Sequence, residues 1–103
     1  MDYSIQKQEE EKTITIVLKG SLDSLNAPEI EDEVLPQLED SEFEAVFIEC
    51  KELDYMASSC LRLFFNVLKC ARGCGARVVL RDVNDFVRQI LGATGLTPMF
   101  EFE

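Results

Sequence analysis

The sequence predicts an α/β domain, a mostly parallel mixed sheet of about four to five strands with helices packed on it. Three observations carry that expectation. Strand-length apolar or alternating runs recur at 13–19, at AVFIEC (45–50) and at ARVVLR (76–81). Between them stand segments whose apolar residues repeat at helical spacing. Glycines at positions 20, 73, 75 and 92 fall at the joints. Alternating strands and helices favour parallel pairing through right-handed crossovers, and a leading hairpin would shade the class toward α+β. The 103 residues suffice for one core, so a single domain, 1–103, is expected.

Taken in order, residues 3–6 can pair as an edge strand with 13–19 through the acidic turn between them. In 13–19, Ile14, Ile16 and Leu18 alternate with Thr13, Thr15 and Lys19, the period of a strand with one wetter face; Gly20 is expected to end it. Asn26 and Glu29 have the spacing of a capping box, and Pro28 suits a first helical turn. Ile30, Val34 and Leu38 then repeat at helical spacing, with acids between them facing water. Pro36 removes the hydrogen bond to the Asp32 carbonyl, so a kink or early end is expected there. The nearly continuous apolar run 45–50 suits a central buried strand, and 51–54 reads as a turn.

A helix follows from the two serines. Arg62, Asn66, Lys69 and Gly73 mark one wet stripe on it, and Leu61, Phe64, Phe65 and Leu68 are expected in the core. Gly73 and Gly75 stop it. After the strand 76–81, Val83, Phe86, Val87, Ile90 and Leu91 predict an amphipathic helix closed by Gly92, and MFEF (99–102) a last short strand.

Composition excludes several function classes. The net charge is -10, from 20 acidic and 10 basic residues, and the basic ones are scattered from Lys7 to Arg88. Phosphate recognition needs clustered cations, so neither nucleic acid nor an anionic membrane is an expected partner. No apolar run approaches the ~20 residues of a bilayer span. The start, MDYSIQKQEEEK, lacks a basic region followed by an apolar stretch, so a cytoplasmic location is expected. Histidine is absent, which removes the commonest general base and the commonest zinc ligand. Cys50, Cys60, Cys70 and Cys74 form no CxxC pair and sit in apolar contexts, as reduced core residues do. Cys70 and Cys74 would share a helix face, but a thiolate metal site would need all four thiols. No cofactor, metal or catalytic residue is expected.

In a parallel sheet the loops at the carboxyl ends of the strands carry function. If the strands before 20–26 and 51–59 are neighbours, Asp23, Ser24, Asp54, Ser58 and Ser59 gather on one rim. The stretch LDYMASSCLRLFFNVL (53–68) then allows two readings. Serine is a good N-cap, because its oxygen accepts from the free amides of a first turn. Alternatively a phosphate is written there. It adds about -1.5 to -2 charges, which a helix start tolerates and a docked partner does not.

GSLDSLNA (20–27), VFIECKELDYMASSCLRLF (46–64), GARVVL (75–80) and ATGL (93–96), in this order and spacing, resemble the STAS domain of anti-sigma factor antagonists. The resemblance implies regulatory binding rather than catalysis. In such proteins the unphosphorylated antagonist binds an anti-sigma factor, a histidine-kinase-like ATPase. That kinase phosphorylates a serine at the start of the second helix, the antagonist lets go, and a phosphatase resets it. The family pattern there is Asp-Ser-Ser-Gly, and Ala57, Ser58, Ser59 and Cys60 occupy the four places, which makes Ser58 the matching acceptor. Asp23 matches a polar position beside the site. Ala57 and Cys60 depart from the pattern, and relatives usually continue into a further helix beyond the position of Phe102.

The expectation is therefore a protein-binding switch with Ser58 as phosphorylation site and Asp23, Ser24, Ser59, Arg62 and Asn66 as partner-binding residues. Two alternatives stand beside it. One is a scaffold domain of the same family that binds constitutively without phosphorylation, suggested by Ala57 and Cys60. The other is a cysteine-based redox or metal protein.

Overall fold

The computed structural model describes residues 2–40, 42–95 and 97–103. Its elements are β1 (Asp2–Gln8), β2 (Thr13–Leu22), α1 (Ala27–Asp40), β3 (Ala45–Met56), a 3-10 turn (Ser58–Cys60), α2 (Leu61–Gly73), β4 (Arg77–Arg81), α3 (Asp85–Gly92), a second 3-10 turn (Thr97–Met99) and β5 (Glu101–Phe102). Among the described residues the five strands form one sheet in the order β1-β2-β3-β4-β5. β1 and β2 are an antiparallel hairpin, and every later pairing is parallel. The expected α/β architecture with a mixed sheet is observed.

Alternation in the strands decides which face is wet. Ile14, Val46 and Val78 lie side by side across β2, β3 and β4, as do Ile16, Ile48 and Leu80, and all six are buried. The parallel strands advance across the sheet in one direction, so right-handed crossovers set α1, α2 and α3 over this same face. Ile30, Val34, Phe64, Val67, Val87 and Leu91 complete one core with them. Tyr3 on β1 donates a hydrogen bond to the Glu33 carboxylate on α1, which pushes the phenol up to about 12.

Among the described residues no helix is set over the opposite face, where the long side chain of Arg81 gives cover. Phe47 and Val79 are neighbours there. The Arg81 guanidinium stands 3.9 Å over the Phe47 ring and pairs with Glu49 at 3.7 Å and Glu103 at 3.1 Å.

Several expectations are corrected. Gly20 does not end β2, and residues 51–54 are strand rather than turn. Lys19, Gly20, Ser21 and Leu22 pair with Glu52, Leu53, Tyr55 and Met56. Irregularities in register fall between Val17 and Lys19 and between Gly20 and Ser21, and Gly20 adopts a φ of 88°. A positive φ with one residue out of step bends the strand without stopping it, which is glycine's use at a bulge.

Pro36 does not terminate α1, which runs on to Asp40. The Gln37 side chain donates to the Glu33 carbonyl at 2.9 Å, one of the acceptors beside the proline. Val83 precedes α3 rather than joining it, because Asn84 is the N-cap and its side chain accepts from the Val87 amide at 2.8 Å. Phe65 and Phe86, expected in apolar stripes, are both nearly half exposed. Phe86 instead stacks on Tyr55 with centroids 5.4 Å apart. In the motif 93–96, Leu96 lies outside the described residues.

Candidate functional site

β2 and β3 are neighbours, so their carboxyl ends open on one rim, and the Ala57 amide ties them by donating to the Leu22 carbonyl at 2.9 Å. The loop between β2 and α1 is stitched by two polar side chains. The Asp23 carboxylate accepts from the amides of Leu25 at 2.9 Å and Asn26 at 3.0 Å. Asn26 answers by accepting from the Asp23 amide at 2.9 Å and donating to the Ser21 carbonyl at 2.9 Å. The expected capping box of Asn26 and Glu29 is thereby corrected: the Asn26 oxygen turns back into the loop. The amides of Asp23, Leu25 and Asn26 are thus met by Asx-type acceptors, and Ser24 and Leu25 stand exposed on this turn.

On the other side of the rim the two serines stand in the 3-10 turn ahead of α2, both exposed. Neither is a cap. Ala57 occupies the N-cap of the 3-10 turn and Cys60 that of α2, and neither makes a side-chain cap bond. The capping account of these hydroxyls is therefore corrected, because α2 starts at Leu61, three positions after Ser58 and two after Ser59, with Cys60 at its N-cap. Asp54 lies farther back, exposed within β3.

Ser24 and Ser59 meet across a crevice of about 200 Å³ between the start of α1 and the turn, which Glu31 and Arg62 also line. Glu31 is the residue that sequence reasoning missed. It is a buried acid, placed among the acids expected to face water, and it accepts from Asn66 Nδ2 at 2.8 Å. Arg62 Nε is 4.0 Å from the same carboxylate, while its side chain is 80% exposed. A signal existed. Glu31 is next to Ile30 on the apolar side of α1, and Arg62 with Asn66 forms an i, i+4 pair on α2 that could answer an acid between the helices. Asn66 is thus half-buried and committed to α1, while Arg62 reaches solvent.

The four cysteines are not gathered. Cys50 and Cys60 are sealed in the core, and Cys70 and Cys74 are half-buried at the end of α2, on a groove shared with Leu35, Glu39 and Lys69. Among the described residues no group of three or more Cys, Asp or Glu is placed to hold a metal ion. Burial pushes the Cys50 thiol up to about 12, with the charges of Glu49 and Asp82 adding. Burial also raises Cys60, against a lowering contact from the Ser59 hydroxyl. A thiol reagent in excess is therefore expected to titrate two cysteines in the native protein, Cys70 and Cys74, and the other two only in denaturant. Absorbance of the released chromophore checks this, and four fast thiols in the folded chain would contradict the burial.

Among the described residues no helix is long and apolar enough to cross a membrane. Comparison with known proteins places these features. A family model for the STAS domain matches residues 4–103. The anti-sigma-B factor antagonist of Staphylococcus aureus is 25% identical over 96 residues, which span 93% of this chain and 88% of that protein. BtrV of Bordetella bronchiseptica, named as an anti-sigma factor antagonist, is 30% identical over 83 residues, 81% of this chain and 71% of its own. Among solved structures, the anti-sigma factor antagonist SpoIIAA in its unphosphorylated form superposes with a TM-score of 0.85 at 19% identity, covering 99% of this chain and 88% of that one. The phosphorylated form of SpoIIAA from Bacillus gives 0.79 at 18% identity, over 99% of this chain and 91% of the other. At those identities the structural likeness speaks for the fold, and the family model speaks for the sequence. With residues 4–103 matched by the family model, and the fold shared with SpoIIAA, this chain belongs to the STAS domain family.

Proposed function

We propose that this chain is a cytoplasmic regulatory module of the anti-sigma antagonist type, which binds an anti-sigma factor of the histidine-kinase-like ATPase class and is released by phosphorylation of Ser58. A phosphatase would reset it, and the module itself has no catalytic part. One observation carries the reading: Ser58 is an exposed hydroxyl on a turn that caps nothing, on the same rim as the loop fixed by Asp23. A hydroxyl with no structural duty can be esterified without cost to the fold. The added charge of about -1.5 to -2 then acts on whatever is docked against the rim. Ser24, Ser59 and Arg62 extend the docking surface, and Asn66 supports it through Glu31.

Pull-down from the native cytosol, followed by mass analysis of the chain after incubation with the recovered ATPase and ATP, tests this directly. Label on Ser58 and loss of the complex are the expected results. Ser58→Asp is expected to weaken the complex by tenfold or more, since a like-charge contact at an interface costs on the order of a few kcal/mol. Its unfolding midpoint should match that of the unsubstituted chain. A complex that forms normally with no label on Ser58, and that Ser58→Asp leaves intact, would remove the switch. That outcome would favour the constitutive scaffold suggested by Ala57, which puts a methyl group where the family pattern has a carboxylate.

A further inference from the structure

Ser58 and Ser59 are adjacent but face different surroundings. Ser59 lines the crevice with Ser24, Glu31 and Arg62, and Ser58 is not among its lining residues. Ser58 and Ser59 precede Arg62 by four and three positions, both spacings that bring side chains together along a helix, and it is the crevice that separates them, since Arg62 lines it with Ser59 and not with Ser58. Arg62 is weakly committed. Its nearest acid is Glu31 at 4.0 Å, too far for a hydrogen bond, and its side chain is 80% exposed. Glu31 does not depend on it, because Asn66 donates to the same oxygen at 2.8 Å. Arg62 can therefore swing away and leave no buried carboxylate without a donor.

We propose that Ser59 is a second phosphorylation site and that Arg62 is its internal counter-charge, so that the two neighbouring serines have opposite electrical outcomes. The proposal rests on the reading of this rim as a phosphoacceptor site. In the transfer, the Ser59 oxygen bonds to the γ-phosphorus of ATP as the bond from that phosphorus to the bridging oxygen breaks. ADP leaves, and the hydroxyl proton passes to solvent. The ester oxygens then sit one helical turn from a guanidinium fork whose geometry matches them. The acids around the crevice are Glu31 on α1 and Asp23 in the β2–α1 loop, both close enough to act on the neighbouring Cys60 thiol. Each already accepts a hydrogen bond, from Asn66 and from loop amides respectively. A phosphate on Ser58, outside the crevice that Arg62 lines, is directed toward a partner. A phosphate on Ser59 folds back onto the module's own surface and adds less outward charge.

The test needs no kinase. Phosphoserine is installed by genetic encoding at position 58 or 59 of the 103-residue chain, and each phosphate is titrated by phosphorus NMR. The second ionisation is expected at lower pH for position 59 than for position 58, by roughly half a unit. Arg62→Gln should raise the position 59 value to that of position 58 and leave position 58 unmoved, while Arg62→Lys should keep part of the difference. Equal midpoints in the two proteins, or an equal effect of Arg62→Gln on both, would overturn the clamp. Because the phosphate is installed chemically, failure of the kinase to label Ser58 strikes the proposed function and leaves this titration standing.

Discussion

Phe64→Ala is expected to leave the chain close to unfolding at room temperature. Phe64 has no exposed surface and sits where α2 meets both α1 and the sheet. Ile16 and Leu18 of β2, Ile30 and Val34 of α1 and Ile48 of β3 surround the same small apolar void that its ring borders. Truncating a buried phenylalanine costs about 3–5 kcal/mol, the lost transfer energy plus the cavity left behind. A domain of this length holds only about 5–15 kcal/mol in total. α1 and two strands converge on the ring, so collapse around the hole would have to move all of them, which places the expected loss in the upper part of the range. Urea unfolding followed by circular dichroism measures it. Phe65→Ala, next along the chain and nearly half exposed, is the control, with an expected change within about 1 kcal/mol. A Phe64 loss no larger than the Phe65 one would contradict the packing described.

Pro36→Ala is expected to work in the opposite direction and stabilise the fold by about 2 kcal/mol. Proline inside a helix forfeits one backbone bond and crowds the carbonyl four residues earlier, at a cost of about 3 kcal/mol relative to alanine. Here the position is exposed and α1 continues through it, so alanine loses little packing and restores the donor that the Asp32 carbonyl lacks. Alanine also loosens the unfolded chain, which offsets about 0.4–1 kcal/mol of the gain. With roughly 4–8 °C per kcal/mol for a domain of this size, the melting temperature should rise by roughly 10 °C. Differential scanning calorimetry reads it. An unchanged or lowered melting temperature would mean that the ring at position 36 fits a bend that alanine cannot keep.

Local pattern revealed most of the architecture. Ile14, Ile16 and Leu18, the run 45–50 and the run 76–81 are strands as their patterns suggest; the buried face of β2 follows from alternation, while β4 buries Val78, Val79 and Leu80 in succession. What pattern could not reveal depends on partners far away in the chain. Residues 51–54 carry Lys, Glu and Asp and look like a turn; they are held extended because 19–22 pair with 52–56 around a bulge. Along that part of β3 burial recurs at every third residue, Leu53 and then Met56, which hides the strand period. Phe86 left its expected place for a surface stack with Tyr55, a contact between a strand end and a helix that no window of sequence contains.

The rim was legible as a set of residues and less so as a geometry. Proximity of Ser24 to Ser59 follows from β2 lying next to β3, which the loop argument anticipated. The pairing of Asn66 with Glu31 is a helix-to-helix contact between residues 35 positions apart, and a stripe drawn on α2 alone makes Asn66 look free.

Because spatial order in the sheet copies order along the polypeptide, each strand needs only what has already left the ribosome. β2 can zip onto β1, β3 onto β2 and β4 onto β3, each closing a span no longer than one helix and its flanking turns, for which the loop entropy stays modest. Among the described residues no later strand has to thread between two placed earlier. Each new strand is added at the growing margin, and the two residues of β5 join there beside β4.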